Sequence, residues 1–257
     1  MKTVLTKDLL QSRRKEVFGY LRFLEKALET SASLHTPGSA PIPLETDLTH
    51  TLKANAYLLL YNTVEAVMSQ LMIEIHDEVK SSDVCLDELN PNLYLEVIRS
   101  LKSGNEDIAE TFAHPSGRPF VDYWLRDYEK RVHGNRNPHF SGNIDGKRIK
   151  TIGRIYGFAS GDDATDAKFT HAALQKAKDH RNKLAHGEMS FKDLGRWISF
   201  PQVREDAIAT LRTLSNVRAA VESYLVTHGY RRNNSPVLQL PKNNGSIIQT
   251  DSFASAA

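Results

Sequence analysis

The sequence predicts an all-α fold, a bundle of about six to eight helices with one loop-rich insertion. Two observations carry that prediction. Apolar residues recur at three- and four-residue spacing in one segment after another, while the strict alternation of a half-buried strand is scarce. The composition is that of an ordinary globular chain: 40% hydrophobic and 25% charged residues over 257 positions, enough for one large core.

The elements follow in order. From Lys7 to Glu29, the residues Leu10, Val17, Leu21, Leu24 and Leu28 share a helical face. The next stretch, SASLHTPGSAPIPLETD, is rich in Ser, Pro and Gly and reads as a loop. A long helix is expected over Asp47–Lys80. Its middle, AYLLLYNTVEAVMSQLMIEI, is apolar on nearly every side, which places it at the centre of its domain. Asp87–Lys102 reads as a helix with Leu89, Leu93, Val97 and Leu101 on one face, closed by Gly104. PFVDYWLRDYEKRV is helical, with Pro119 suited to its start, and HGNRNPHFSGN is a loop. Asp145 caps a short helix carrying Ile149, Ile152 and Ile155 that ends at Gly157. A further helix begins at Asp163 or Thr165 and ends near Gly187. The last covers Pro201–Thr227 and turns Val203, Ile208, Leu211, Leu214, Val217, Val221 and Leu225 inward. Residues 1–228 read as a single domain, and residues 229–257, rich in Asn, Ser and Pro, as a flexible tail.

The formal net charge is only +2, so any nucleic-acid contact must come from local clusters. Three basic patches exist: Arg13, Arg14 and Lys15; Lys147, Arg148, Lys150 and Arg154; and Lys176, Lys178 and Lys183. The second and third are candidates to border an RNA groove, with Lys147, Arg148, Lys178 and Lys183 as contacts. A charge run is equally what a solvated face looks like. Cys85 is the sole cysteine, which excludes an intramolecular disulfide and a cysteine-rich zinc site. His133 and His139 have no carboxylate or cysteine at ligand spacing, so neither metal nor cofactor is expected. The N-terminus makes a poor signal peptide, and no apolar run approaches the roughly 20 residues that span a bilayer. The expectation is a soluble cytoplasmic protein with no membrane contact.

The chemistry concentrates in HRNKLAHG, His180–Gly187. On a helix over Asp166–His186, Leu174, Ala177, Leu184 and Ala185 fall on one stripe, and Arg181 falls in its middle. A guanidinium there faces the core or an interface, and it needs a partner: an acid such as Glu65, a second subunit, or a bound phosphate. Asp179, Asn182 and His186 cluster on the flank. Arg181 and His186 diverge by about 140° on one ideal helix, so they flank a phosphate in a groove or meet their counterparts across a two-fold axis. Arg matches phosphate oxygens with a permanent charge, and His titrates near neutrality. LAHG is also a good helix ending, with Gly187 in the left-handed region and His186 favourable against the helix dipole. Glu65 shares a face with Leu58, Tyr61, Met68 and Met72, so it is expected to be at least half-buried, paired with Arg181 or tuning His186.

HRNKLAHG resembles the Arg-x4-6-His signature of the HEPN superfamily in its Arg-Asn-x-x-x-His form. YLLLYNTVEAVMSQLM is similar to the long apolar helix with an internal Glu of the RiboL-PSP-HEPN subgroup and its MAE-type relatives. HFSGNIDGKRIKTIGRIYGF is similar to their Gly-Asn-(Ile/Val)-Asp segment ahead of the catalytic helix. The three stretches stand in the right order. The resemblance implies a HEPN-like helical bundle, a homodimer with a composite cleft, and metal-independent cleavage of RNA in toxin–antitoxin or anti-phage defence, with an antitoxin or noncoding RNA as a further partner. It implies that His186 is general base or acid, that Arg181 holds the scissile phosphate, and that Asn182 orients them; by their helix faces Glu65 and Asp179 are supporting candidates. The position two residues after the His is Glu188, where many HEPN toxins carry Tyr. The alternative is a non-catalytic HEPN bundle that binds RNA or a protein partner.

Overall fold

A computed structural model describes residues 2–29, 32–101, 117–134, 139–140, 143–159 and 168–232. Among these stand eight α-helices: α1 (Val4–Ala27), α2 (Thr46–Ser81), α3 (Pro91–Leu101), α4 (Arg118–His133), α5 (Gly146–Tyr156), α6 (Ala172–Ala185), α7 (Phe191–Trp197) and α8 (Phe200–Val226). The fold is all-α, as the periodicity implies. No helix among the described residues is long and apolar enough to cross a membrane.

The axis is α2. It spans 36 residues, and its central stretch is buried from Tyr57 and Leu60 through Met68, Leu71 and Met72 to Ile75 and Val79. A helix apolar all round must be covered all round, and α1, α6, α7 and α8 pack along it. A second group, α3, α4 and α5, packs together at the other side; α4 reaches α2, and α5 reaches α6.

Several boundaries differ from the sequence expectation, each for a local reason. The Ser/Pro/Gly stretch holds a small antiparallel hairpin, Ser33–Leu34 against Ile42–Pro43, with Leu34 and Ile42 exposed. The expected Asp87–Lys102 helix starts late. A 3-10 turn at Leu86–Glu88 comes first, and Pro91 opens α3 behind Asn90, whose Oδ1 accepts from the Leu93 N–H at 2.9 Å. Gly104 lies outside the described residues. The α5 expectation is met at both ends: Asp145 Oδ1 accepts from the Arg148 N–H at 2.7 Å, and Gly157 ends the helix. The motif helix is shorter at its start than expected. It begins at Ala172, where His171 Nδ1 accepts from the Ala173 N–H, while Asp163 and Thr165 lie outside the described residues. On α8, Ile208 is 37% exposed, and Ala207 and Thr210 take the inward positions beside Leu211.

One helix has no counterpart in the sequence reading. FKDLGRW, seven residues long, is too short to show a period, yet it forms α7 against α2. Ser190 caps it, its Oγ accepting from the Asp193 N–H. Gly195 makes the contact possible, because a Cβ at that position would stand 1.8 Å from the His50 carbonyl oxygen. The chain also stays packed beyond residue 228. Tyr230 is fully buried, its carbonyl accepts from the Asn90 N–H at 2.8 Å, and the Arg232 N–H donates to the Glu88 carbonyl. A flexible tail therefore cannot start at Gly229. Residues 233–257 lie outside the described ones.

Glu65 is more than half-buried, as expected, but the least exposed acid of α2 is another one. It is Glu74, 7% exposed, whose carboxylate accepts from the backbone N–H and hydroxyl of Thr6 in the first turn of α1. A carboxylate at a helix N-terminus satisfies an orphan donor and complements the dipole. A second buried polar hub joins α2, α4 and α5. The Tyr156 hydroxyl meets His139 Nε2 at 2.6 Å and His76 Nε2 at 3.3 Å, His76 stacks on Tyr128, and His76 Nδ1 bonds the Met72 carbonyl. Burial pulls His76 down to about 3 and His139 to about 4.

Candidate active site

The candidate site is the C-terminal half of α6 and what holds it. Leu174, Ala177 and Leu184 are buried against the bundle as the stripe requires, while Ala185 is exposed. Arg181 is partly buried. Its guanidinium lies over the Tyr61 ring of α2, 5.1 Å from the centroid, and Nη1 donates to Asn182 Oδ1 at 3.0 Å. The expected acid partner is not there: among the described residues Arg181 forms no ion pair. A cation over a ring face is held by the ring quadrupole without being neutralised.

Asn182 is clamped from both sides. It accepts from Arg181, and its Nδ2 donates to Asn143 Oδ1 at 3.1 Å. Asn143 opens the NID stretch ahead of α5, and two more bonds fasten that stretch to the same place. The buried Ile144 N–H donates to the Tyr61 hydroxyl at 3.1 Å, and Asp145 Oδ2 accepts from Lys178 Nζ at 2.6 Å. Burial pushes the Tyr61 hydroxyl up to about 12, with Glu65 adding to the rise. For Asp145, burial acts upward, but Lys178 and the Arg148 N–H outweigh it and hold the carboxyl below its ordinary value.

His186 is the last residue of the helix end. Its backbone N–H donates to the Asn182 carbonyl at 2.9 Å, and its ring is exposed. Gly187, at φ +70°, then reverses the chain. The Gly187 N–H donates to the Leu184 carbonyl and the Glu188 N–H to the Lys183 carbonyl, the paired bonds of a Schellman ending. His180 turns the other way. It meets Tyr57 edge-on at 4.5 Å, and burial lowers its ring below the ordinary imidazole value.

The remaining candidates divide. Glu65 is partly buried one turn along α2 from Tyr61, beside the site but not bonded to Arg181. Asp179 is turned back one turn and accepts from Gln175 Nε2 at 2.8 Å, so it is not brought to Arg181 or His186. Lys178 is not a free cation, since its side chain is 16% exposed and its ammonium is bound to Asp145. Lys176, of the same patch, is bound to the buried Asp206 at 3.1 Å. Arg148 Nε is engaged by the His139 carbonyl at 2.9 Å. Lys183 and Lys147 remain exposed.

The model of the HEPN_MAE_28990-like HEPN family matches residues 1–230. The chain belongs to this HEPN family. No curated protein and no solved structure matches the chain. HEPN membership points to a nuclease or other RNA-related role. The family match and the geometry meet in the same residues, because the two segments ahead of the motif that resemble HEPN sequences, around Tyr61 and around Asn143, are the two that touch Arg181 and Asn182. Sequence reading took Tyr61 for a core residue and Asp145 for a cap only. Each is also a tether of the HEPN motif helix, and a Tyr in an apolar run or an Asp before a helix gives no separate sign of that second contact.

Proposed function

We propose that this HEPN chain is a metal-independent endoribonuclease, acting as a homodimer in which two motif helices face one cleft. One observation carries the reading: Arg181 is held in position by a ring and an amide, has no ion pair among the described residues, and stands on the helix whose exposed end presents His186. An oriented guanidinium and an exposed imidazole on one helix suit a phosphodiester that both can reach.

In this mechanism His186 takes the proton of a 2′-hydroxyl, and that oxygen attacks the adjacent phosphorus. Arg181 offsets the charge that develops on the non-bridging oxygens. The bond from phosphorus to the 5′-oxygen breaks, and the leaving oxygen takes a proton from the imidazolium of the facing motif. The products carry a 2′,3′-cyclic phosphate and a 5′-hydroxyl. Asn182, braced by Asn143, fixes the Arg181 fork. Lys183 and Lys147, both exposed, are the cations of the second and third basic patches that would serve the RNA backbone. The biological setting that fits is a toxin or anti-phage effector in the cytoplasm, restrained by an antitoxin or noncoding RNA.

The test is incubation of purified protein with RNA in excess EDTA, with His186→Ala and Arg181→Ala alongside. Wild type should leave cyclic-phosphate ends, and each variant should lose about 10²–10⁴-fold in rate. Equal cleavage by wild type and His186→Ala, or cleavage that needs Mg²⁺, overturns the reading. The Schellman ending favours a second reading, a non-catalytic bundle that binds RNA or a protein, because it accounts for LAHG by helix termination alone. That reading requires that wild type turn over no RNA under any condition.

A further inference from the structure

The first basic patch acquires a second wall in the fold. Lys7, Arg14 and Lys15 sit seven and eight residues apart on one face of α1, and that face lies against Ser215 and Arg218 of α8. Together they line a groove of about 450 Å³ floored by Leu10 and containing no carboxylate in its lining. Neighbouring Arg13 is paired with Glu16 at 2.7 Å, so acids are present on α1 but are turned elsewhere. Arg218 has Glu222 at 3.9 Å and donates to the Thr3 hydroxyl at 3.1 Å. Lys7, Arg14 and Lys15 have no ion pair among the described residues; Arg14 Nη2 reaches across to Ser215 Oγ at 2.9 Å and bridges the two helices.

A chain whose net charge is +2 is not forced by composition to gather cations this way. An anion in the groove would offset cations that have no ion pair among the described residues. Lys7 to Lys15 spans about 12 Å along the helix, longer than one phosphate needs. Lys7, Arg14 and Lys15 are exposed, and point charges on a helix surface suit charge neutralisation along a strand and not the reading of bases.

We infer that the α1–α8 groove is an exosite for the phosphodiester backbone of a single RNA strand, binding without sequence preference at a distance from the motif. It rests on the reading of RNA as substrate. The experiment uses catalytically silent His186→Ala protein and a labelled single-stranded RNA, with affinity followed over a salt series. Adding Lys7→Ala, Arg14→Ala and Lys15→Ala should reduce the slope of log affinity against log salt by about 2, from about 0.7 per lost contact, and weaken low-salt binding by about tenfold or more. Ser215→Glu, which puts a carboxylate in the groove and keeps every cation, should weaken binding in the same direction. No RNA binding, or slopes unchanged in both variants, overturns the inference. So does poly-glutamate that competes as well as RNA and is lost with the same substitutions, which would make the occupant an acidic protein. Cleavage by wild type in EDTA is scored separately: a slope change without cleavage keeps the exosite and removes the nuclease, and cleavage with unchanged slopes does the reverse.

Discussion

Tyr61 performs two tasks with one side chain, and Tyr61→Phe separates them. The hydroxyl accepts the Ile144 N–H at 3.1 Å, and both residues are fully buried. Removing it leaves a buried backbone donor without a partner, which costs about 1–3 kcal/mol. The ring remains, so Arg181 keeps its seat. Tyr61→Leu removes both, adding about 0.5–2 kcal/mol for the lost cation–ring contact and a packing defect besides. In urea unfolding the two variants should show lower midpoints at unchanged slope, with the Leu variant lower. RNA cleavage should fall less than about tenfold in the Phe variant and more than about tenfold in the Leu variant, since about 1.4 kcal/mol of lost orientation is a factor of ten. A Phe variant as stable as wild type would show that Tyr61 does not anchor the NID stretch. A Leu variant as active as the Phe variant would show that Arg181 does not depend on the ring.

Lys178→Met tests the reassignment of that lysine from RNA contact to tether: stability should fall by about 1–2 kcal/mol, while the salt slope of RNA binding stays at the wild-type value. The same pair predicts an acid limit. The folded Asp145 carboxyl lies below its ordinary 3.8, so its contribution is complete above that value and disappears as pH falls through the lower folded one. The histidine hub acts earlier. His76 and His139 are neutral in the fold down to about 3 and about 4 against an ordinary 6.5, so the unfolded chain binds more protons below 6.5. Stability is complete above 6.5 and should drop by about 2 kcal/mol for each histidine on going to about pH 5; unfolding midpoints that stay flat over that range would refute the burial argument. Gly195→Ala should lower the melting temperature by several degrees, as overpacking costs about 1–3 kcal/mol or more, because the clash is with backbone and neither helix can yield by a side-chain rotation.

The helices legible in the sequence are those that bury a long periodic face. For α2, α4 and α8 the expected and observed spans nearly coincide, because burial and helical period repeat over many turns. α7 was illegible because seven residues hold less than two full turns of evidence and include a glycine. The motif helix starts later than its sequence suggests, because nothing in the polar stretch before Ala172 marks a cap, and the cap is the His171 ring accepting the Ala173 N–H. Phase put Arg181 on the inward stripe correctly, yet phase says nothing of what stands opposite. The chemistry of the opposing face needed the fold: an aromatic ring where an acid was expected, and an aspartate that engages Lys178.

The two explanations of HRNKLAHG need not compete. A Schellman ending requires only Gly187 in the left-handed region and free carbonyls in the last turn; it places no demand on Arg181, Asn182 or their partners. The bonds from Asn143 to Asn182 and from Asp145 to Lys178 lie one and two turns before the ending, so helix termination cannot account for them. Termination does have a consequence for the site. Because the chain reverses at Gly187, the imidazole of His186 stands at a free end and not within a packed turn, whereas His180, two turns back on the same helix, is packed against Tyr57. The helix end thus accounts for the exposure of His186, and the tethers account for the fixed position of Arg181 on the same helix. A site that needs one rigid cation and one accessible base is served by both features at once.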